Sequence, residues 1–152
     1  MFLISKPYLM AAQIALGGTD LPAEDVSCLG FAIYHESRSE SARGQKAVAH
    51  VVMNRVRDGR YPDTVCDVIT QGGADTETGC QFSWWCDGVT DHPGDDEAWQ
   101  EALTHAVAVL SGETRDPTSG ALFFFLVDMP TPSWAEEMTQ TAVIEDHRFY
   151  RP

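Results

Sequence analysis

The sequence predicts a mainly helical α+β domain with a small antiparallel sheet. Three segments repeat apolar residues at helical spacing, and two late segments are rich in aromatic and β-branched residues with no proline inside them. Between these two kinds lies a stretch punctuated by glycine and proline. The 152 residues suit one domain, read here as an N-terminal segment over 1–20 and a body over 21–152. Hydrophobic residues make up 43% of the chain and charged residues 22%, enough for a packed core and unlike a disordered chain.

Residues 1–15 are apolar in character, but their one basic residue, Lys6, follows the first apolar residues. A secretory signal places its charge first, so the segment reads as an amphipathic piece that docks on the body. Asp20 before Leu21-Pro22 predicts a helix start, with Asp20 as N-cap and proline near the first turn. Val26, Leu29, Ala32 and Ile33 continue that helix to Glu36. At ~100° per residue Glu36 falls on the face of Leu29, Ala32 and Ile33. A second helix opens near Ser41 and turns Ala47, Val48, Val51, Val52 and Val56 inward. Tyr61-Pro62-Asp63 breaks the chain, and DTVCDVI reads as a short helix capped by Asp63. Residues 72–94 read as loop and hold Phe82, Trp84 and Trp85. A third long helix runs from about Asp95 to Leu110, with Trp99, Ala102, Leu103, Ala106 and Leu110 inward and Gly112 ending it. After Pro117, ALFFFLV and AVIEDHRFY each read as a strand, with a short turn of helix from Trp134 to Met138 between them.

Charge narrows the function classes. Ten Lys and Arg stand against 23 Asp and Glu, a net charge of −13. Binding by phosphate neutralisation needs a basic face, so no nucleic-acid partner is expected. An anionic membrane surface is disfavoured on the same ground, and no stretch is long enough to span a bilayer. A monomer is expected. The five histidines show no ligand spacing: His35-Glu36 begins an H-E-x-x-H pattern, but Ser39 stands where the second histidine belongs. Neither a metal nor a cofactor is expected. Cysteines 28, 66, 80 and 86 allow three pairings. Cys80 and Cys86 flank QFSWW and are the candidates for a short disulfide, which implies an oxidising compartment; free, buried thiols are the alternative.

Glu36 is the first candidate for chemistry. A carboxyl held among apolar groups has its charged form desolvated, which raises its pKa and suits it to donate a proton near neutral pH. Glycosidic cleavage needs such a donor. The plainer alternative is a helix-terminal glutamate that turns to solvent or pairs with Arg38 or Arg55. Glu40 and Asp87 are candidate second carboxylates, against the commoner role of solvated acids. Phe82, Trp84, Trp85 and Trp134 either fill core or, where an indole is exposed beside the acid, form a platform for a sugar ring.

Taken in order, YHESRSES, GQKAVAHVVMNRV, RYPDTVCDVI, CQFSWWCDG, GAL and DHRFY resemble the SleB-like cell wall hydrolase family. The resemblance to these spore-cortex-lytic enzymes and their bacterial and phage relatives runs from Cys28 to Arg151. It implies a lysozyme-like α+β fold. It also implies cleavage of peptidoglycan glycan strands between N-acetylmuramic acid and N-acetylglucosamine, by a lytic transglycosylase reaction. The family's catalytic glutamate is the first acid of an E-A-R-G-E block, here Glu36 of ESRSE, with Ser37 and Ser39 replacing alanine and glycine. Gln81, Ser83 and Trp85 are then the residues that place the sugar, with Trp84 or Phe82 behind them and His147 and Tyr150 in support. The late strands depart from the family: Phe123-Phe124-Phe125 replaces a His-Tyr-His-like strand, and Ile144-Glu145-Asp146-His147 replaces I-G-x-H. Two alternatives stay open. One is a muramidase that uses Glu40 or Asp87 with water; the other is a catalytically inactive wall-binding or phage structural module. Small size and the missing signal pattern predict a phage endolysin, made in the host cytoplasm and acting on the periplasmic wall, with a secreted bacterial enzyme as the alternative.

Overall fold

The residues from Val26 to Tyr34 are all buried, so the helix that carries them must be enclosed on every side. The computed structural model describes residues 6–73 and 79–152 and shows how this is done. Residues 1–5, which open the N-terminal segment, and 74–78, within the expected 72–94 loop, lie outside the described residues. The enclosed helix is α2 (Ala23–Ser37), and around it pack α1 (Lys6–Leu16), α3 (Ala42–Arg57), α4 (Val65–Ile69) and α5 (Asp96–Leu110). Each buried leucine or isoleucine on such a helix contributes ~1.5–3 kcal/mol relative to exposure. Contact with α5 is close: a Cβ on Gly30 would come within 2.9 Å of Leu103 Cδ2. Among the described residues no helix is long and apolar enough to cross a membrane.

Helix boundaries depart from the sequence reading where a neighbouring residue takes over the cap. Pro22 precedes α2 in extended conformation (φ −63°, ψ 124°) and no side chain caps the helix, so Asp20 is not the N-cap. The proline straightens the chain before the first turn, and Glu24 and Asp25 supply the negative charge there. Thr64, not Asp63, caps α4, its hydroxyl accepting from Asp67 N at 3.1 Å. Asp95 caps α5 through Ala98 N at 3.0 Å, and Gly112 follows the helix with φ 80°. Within the loop region, Ser83–Cys86 form a turn of 3₁₀-helix.

The sheet has three antiparallel strands in the order β1 (Phe123–Leu126), β3 (His147–Arg151), β2 (Thr139–Ile144). AVIEDHRFY is therefore not one strand. It is the end of β2, a turn at Glu145-Asp146, and β3. Glu145 adopts φ 50°, an unfavourable conformation for a residue with a side chain. Hydrogen bonds from Ser41 N and Ser41 Oγ to its carboxylate offset that cost, a contact across 104 positions that no local pattern reveals. The expected helical turn shrinks to a 3₁₀ turn at Ser133–Ala135, and β2 begins soon after Met138. Ala47 and Val51 of α3 pack on Ala121, Ile144 and Phe149, which seats the sheet against the helices.

All four cysteines are paired. Cys28 of α2 joins Cys66 of α4 with Cα atoms 5.3 Å apart, and Cys80 joins Cys86 with Cα atoms 6.0 Å apart. The second bond closes the loop that holds the Ser83–Cys86 turn.

Candidate active site

Glu36 lies in the last turn of α2, half-buried, where the apolar face of the helix meets a cleft of about 380 Å³. From α3 comes Arg55, from the disulfide-closed loop Gln81, Phe82 and Ser83, and from β1 Phe123 and Phe124. Trp134, on the second 3₁₀ turn, completes the rim. Burial pushes the Glu36 carboxyl above its ordinary pKa, against the opposing pull of His147, the Trp84 indole N–H and Arg55. The net result favours the protonated form, the state a general acid requires.

Trp84 backs this carboxyl. It is 8% exposed, and its buried Nε1 reaches no protein acceptor in full hydrogen-bond geometry, although it lies against Glu36. Its ring stacks on His35 with centroids 4.5 Å apart. His35 Nε2 donates to the Asp91 carbonyl at 3.1 Å, and burial lowers the pKa of the ring, which keeps a neutral imidazole in place.

The second acid of the ESRSE block does something different. Glu40, with a side chain 3% exposed, accepts from His147 Nδ1 at 3.0 and 3.1 Å and from Asp146 N at 3.1 Å. The backbone approaches so closely that a Cβ on Gly44 would lie 3.0 Å from Glu40 Oε2. Glu40 thus anchors the start of β3 and directs His147, whose charge acts on Glu36. It does not stand free as a second catalytic carboxylate. Asp87, the other candidate, is exposed, accepts from Val89 N at 2.8 Å and faces His35 rather than the cleft.

Of the residues expected to place a sugar, Gln81 and Ser83 line the cleft and are exposed, and Phe82 forms part of its wall. Trp84 and Trp85 are not among the residues that line the cleft. A 3₁₀ turn advances ~120° per residue, and here it directs both indoles back toward the helices, Trp85 packing on the main core and meeting Trp84 edge-on at 6.5 Å. Trp134, 41% exposed and 5.4 Å from Phe123, is the tryptophan that lines the cleft. His147 and Tyr150 are buried beneath the site rather than open to it. The Tyr150 hydroxyl donates to Gln140 Oε1 at 2.9 Å, and its ring stacks on Phe125 at 5.2 Å, below Trp134. These contacts enclose both residues behind the cleft wall.

Arg55 enters the site without having been foreseen there, except as a partner that would quench Glu36. It sits four positions after Val51 and seven after Val48, on the inner face of α3. The same oddity that singles out Glu36, a charge in an apolar stripe, could have singled out Arg55. The remaining histidines lie elsewhere: His50 Nε2 pairs with Thr114 Oγ1, His105 with Glu101, and His92 with the Tyr8 hydroxyl. Among the described residues no three His, Cys, Asp or Glu are grouped to hold a metal ion.

Comparison with known proteins assigns the family and the fold. Residues 39–150 match the model of the family described as Cell Wall Hydrolase. Glu36 lies just before that matched stretch, so its role rests on the cleft itself. The spore cortex-lytic enzyme of Bacillus cereus is 32% identical over 136 residues, covering 87% of this chain and 48% of the relative. That of Oceanobacillus iheyensis is 33% identical over 125 residues, covering 82% and 41%. The chain thus spans about half the length, or less, of these curated relatives. Among solved structures, the catalytic domain of the germination-specific lytic transglycosylase SleB from Bacillus anthracis superposes with a TM-score of 0.66 at 31% identity, covering 88% of this chain and 98% of that domain. The catalytic domain of Bacillus cereus SleB gives 0.63 at 29%, covering 88% and 94%. The fold is that of the SleB catalytic domains, and the chain belongs to the Cell Wall Hydrolase family.

Proposed function

We propose that this chain cleaves peptidoglycan glycan strands between N-acetylmuramic acid and N-acetylglucosamine as a lytic transglycosylase, with Glu36 as its one acid and base. The observation that carries the reading is that Glu36 is the single carboxylate among the described residues lining the cleft. A glycosidase that uses water needs a second carboxyl, about 5–5.5 Å or 6.5–9.5 Å from the first according to stereochemistry. Glu40 is committed to His147 and Asp87 faces away. One carboxyl suffices when the substrate supplies its own nucleophile. Glu36 gives its proton to the glycosidic oxygen as the C1–O bond breaks and positive charge develops at C1 of the muramic acid. The resulting carboxylate removes the proton from the C6 hydroxyl as O6 bonds to C1. The products are a free 4-hydroxyl and a 1,6-anhydro ring; no water is consumed and Glu36 ends protonated again.

The similarity to the catalytic domain of the germination-specific lytic transglycosylase of Bacillus anthracis supports this reading. Both disulfides support work outside a reducing cytoplasm. The test is mass spectrometry of muropeptides released from purified peptidoglycan. Fragments ending in 1,6-anhydromuramic acid, one water lighter than hydrolysed fragments, are expected as the primary product. Reducing-end muramic acid would replace the mechanism by hydrolysis, and no release at all would leave a binding module.

Trp134 bears on substrate placement in the same scheme. Its exposed ring beside Phe123 is the surface on which a sugar face would stack. Aromatic contacts of this kind contribute ~0.5–1.5 kcal/mol beyond area, so Trp134→Ala should raise KM by roughly tenfold or less with kcat little changed, as measured on soluble glycan strands.

A further inference from the structure

Arg55 is 2% exposed, and its Nε donates to the Leu122 carbonyl at 2.7 Å, which holds the guanidinium from one side. The rings of Tyr61, Phe82 and Phe123 lie 5.3, 5.6 and 5.3 Å from its Cζ. Its Nη1 is buried with no hydrogen-bond partner. A buried cation with an unmade hydrogen bond opposes folding, so stability alone would place an apolar residue here, in line with Val48 and Val51. Arg55 and Glu36 are the charged groups that line the cleft.

We propose that Arg55 is a positioning residue for Glu36, its fixed charge stabilising the carboxylate that forms as the proton passes to the leaving oxygen. The same charge holds that carboxylate in place for the return proton from the C6 hydroxyl. This proposal rests on the single-carboxyl reading above. Arg55 shares this task with His147, which pulls on Glu36 in the same direction and more strongly but lies outside the cleft lining, whereas Arg55 lines it. On α2 itself, His35 turns to the Asp91 carbonyl and Arg38 lies over the Tyr34 ring at 4.8 Å. From β3 comes His147, with Glu40 behind it; from the Ser83–Cys86 turn comes the uncharged Trp84 N–H, with Asp87 toward His35. Phe123, Phe124 and Trp134 carry no charge. Burial lowers the Arg55 pKa to about 10, which leaves it charged throughout the neutral range.

The sign of the electrostatic effect gives the test. Arg55 favours ionised Glu36 and so draws its pKa down. Removing the charge raises that pKa, and Glu36 then stays protonated to higher pH even though each turnover is slower. In Arg55→Met, kcat on soluble glycan strands should fall about 10- to 100-fold, KM should change little, and the alkaline limb of the pH profile should move to higher pH. Arg55→Lys, which keeps the charge, should recover most of kcat and return the limb to its wild-type position. A loss confined to KM would overturn the proposal and make Arg55 a sugar contact. Equal losses in both folded variants with an unmoved limb would also overturn it, leaving only a buttress for Leu122 and Phe123. If Arg55→Met fails to fold, Arg55→Lys decides alone: a wild-type limb with at least about a tenth of kcat supports the role, and an inert folded protein ends it. Glu36→Gln, run alongside, separates the two ideas, because undiminished activity there removes the single-carboxyl reading itself.

Discussion

Replacing Glu36 by glutamine is expected to give a folded protein whose release of muropeptides is slower by about 10²–10⁴. Glutamine keeps the shape and can still meet the Trp84 N–H, but it can neither give nor accept the proton. A second signature separates this loss from damage to the fold. Burial is the largest influence on Glu36 and raises its pKa, so the folded state holds this proton more tightly than the unfolded chain does. Ionisation of Glu36 therefore opposes folding increasingly as pH rises from its unfolded value, ~4.3, through the raised folded value. Glutamine removes that opposition. The variant should melt above the wild type at neutral pH, and the two curves should converge near about pH 3, where both side chains are neutral. Calorimetry across that range together with lysis assays tests both parts. Undiminished lysis by the folded variant would remove Glu36 from the mechanism, and a melting difference independent of pH would contradict its burial.

Loss of the Cys28–Cys66 bond carries the largest expected effect on stability. The bond closes a separation of 38 residues, for which constraint of the unfolded chain contributes ~4 kcal/mol. At ~2–4 °C per kcal/mol for a domain of this size, Cys28→Ala with Cys66→Ala should melt roughly 8–16 °C lower. The bond ties α2 to α4, the former only two turns before Glu36, so residual activity at low temperature is expected to survive while heat resistance does not. An unchanged melting temperature would show that the bond is not formed. The Cys80–Cys86 bond closes a separation of only 6 and should matter less for melting than for the placement of Gln81, Ser83 and Trp84.

How much of this could be read from the sequence differs from element to element. The three long helices were legible because each buries one stripe, and the stripe is written locally at helical spacing. Glu36 was legible for the same reason, as a carboxylate set in such a stripe. Cap positions were less so: Pro22 and Thr64 each displaced an aspartate one or two residues earlier, a difference too local for periodicity to register. The β2–β3 turn was invisible, because Glu145 holds its left-handed conformation through hydrogen bonds from Ser41.

At the cleft, the helical stripe pointed to Glu36 and the family resemblance to Gln81 and Ser83, and the fold brings these three together. Local pattern could not choose which tryptophan faces the ligand, since the direction of Trp84 and Trp85 depends on the 3₁₀ turn they occupy and on the helices beneath. Nor could it give Glu40 its task, because the partner, His147, is 107 positions away. Sequence alone thus determined which segments are helical and which carboxyl is held among apolar groups, both properties of neighbours along one chain. Only the tertiary structure decided the Cys28–Cys66 pairing, the Glu40–His147 pair, Trp134 at the rim and Arg55 in the wall. Each of these arises when separate segments are pressed together, and the charge or ring at one position acquires its role from what burial places beside it.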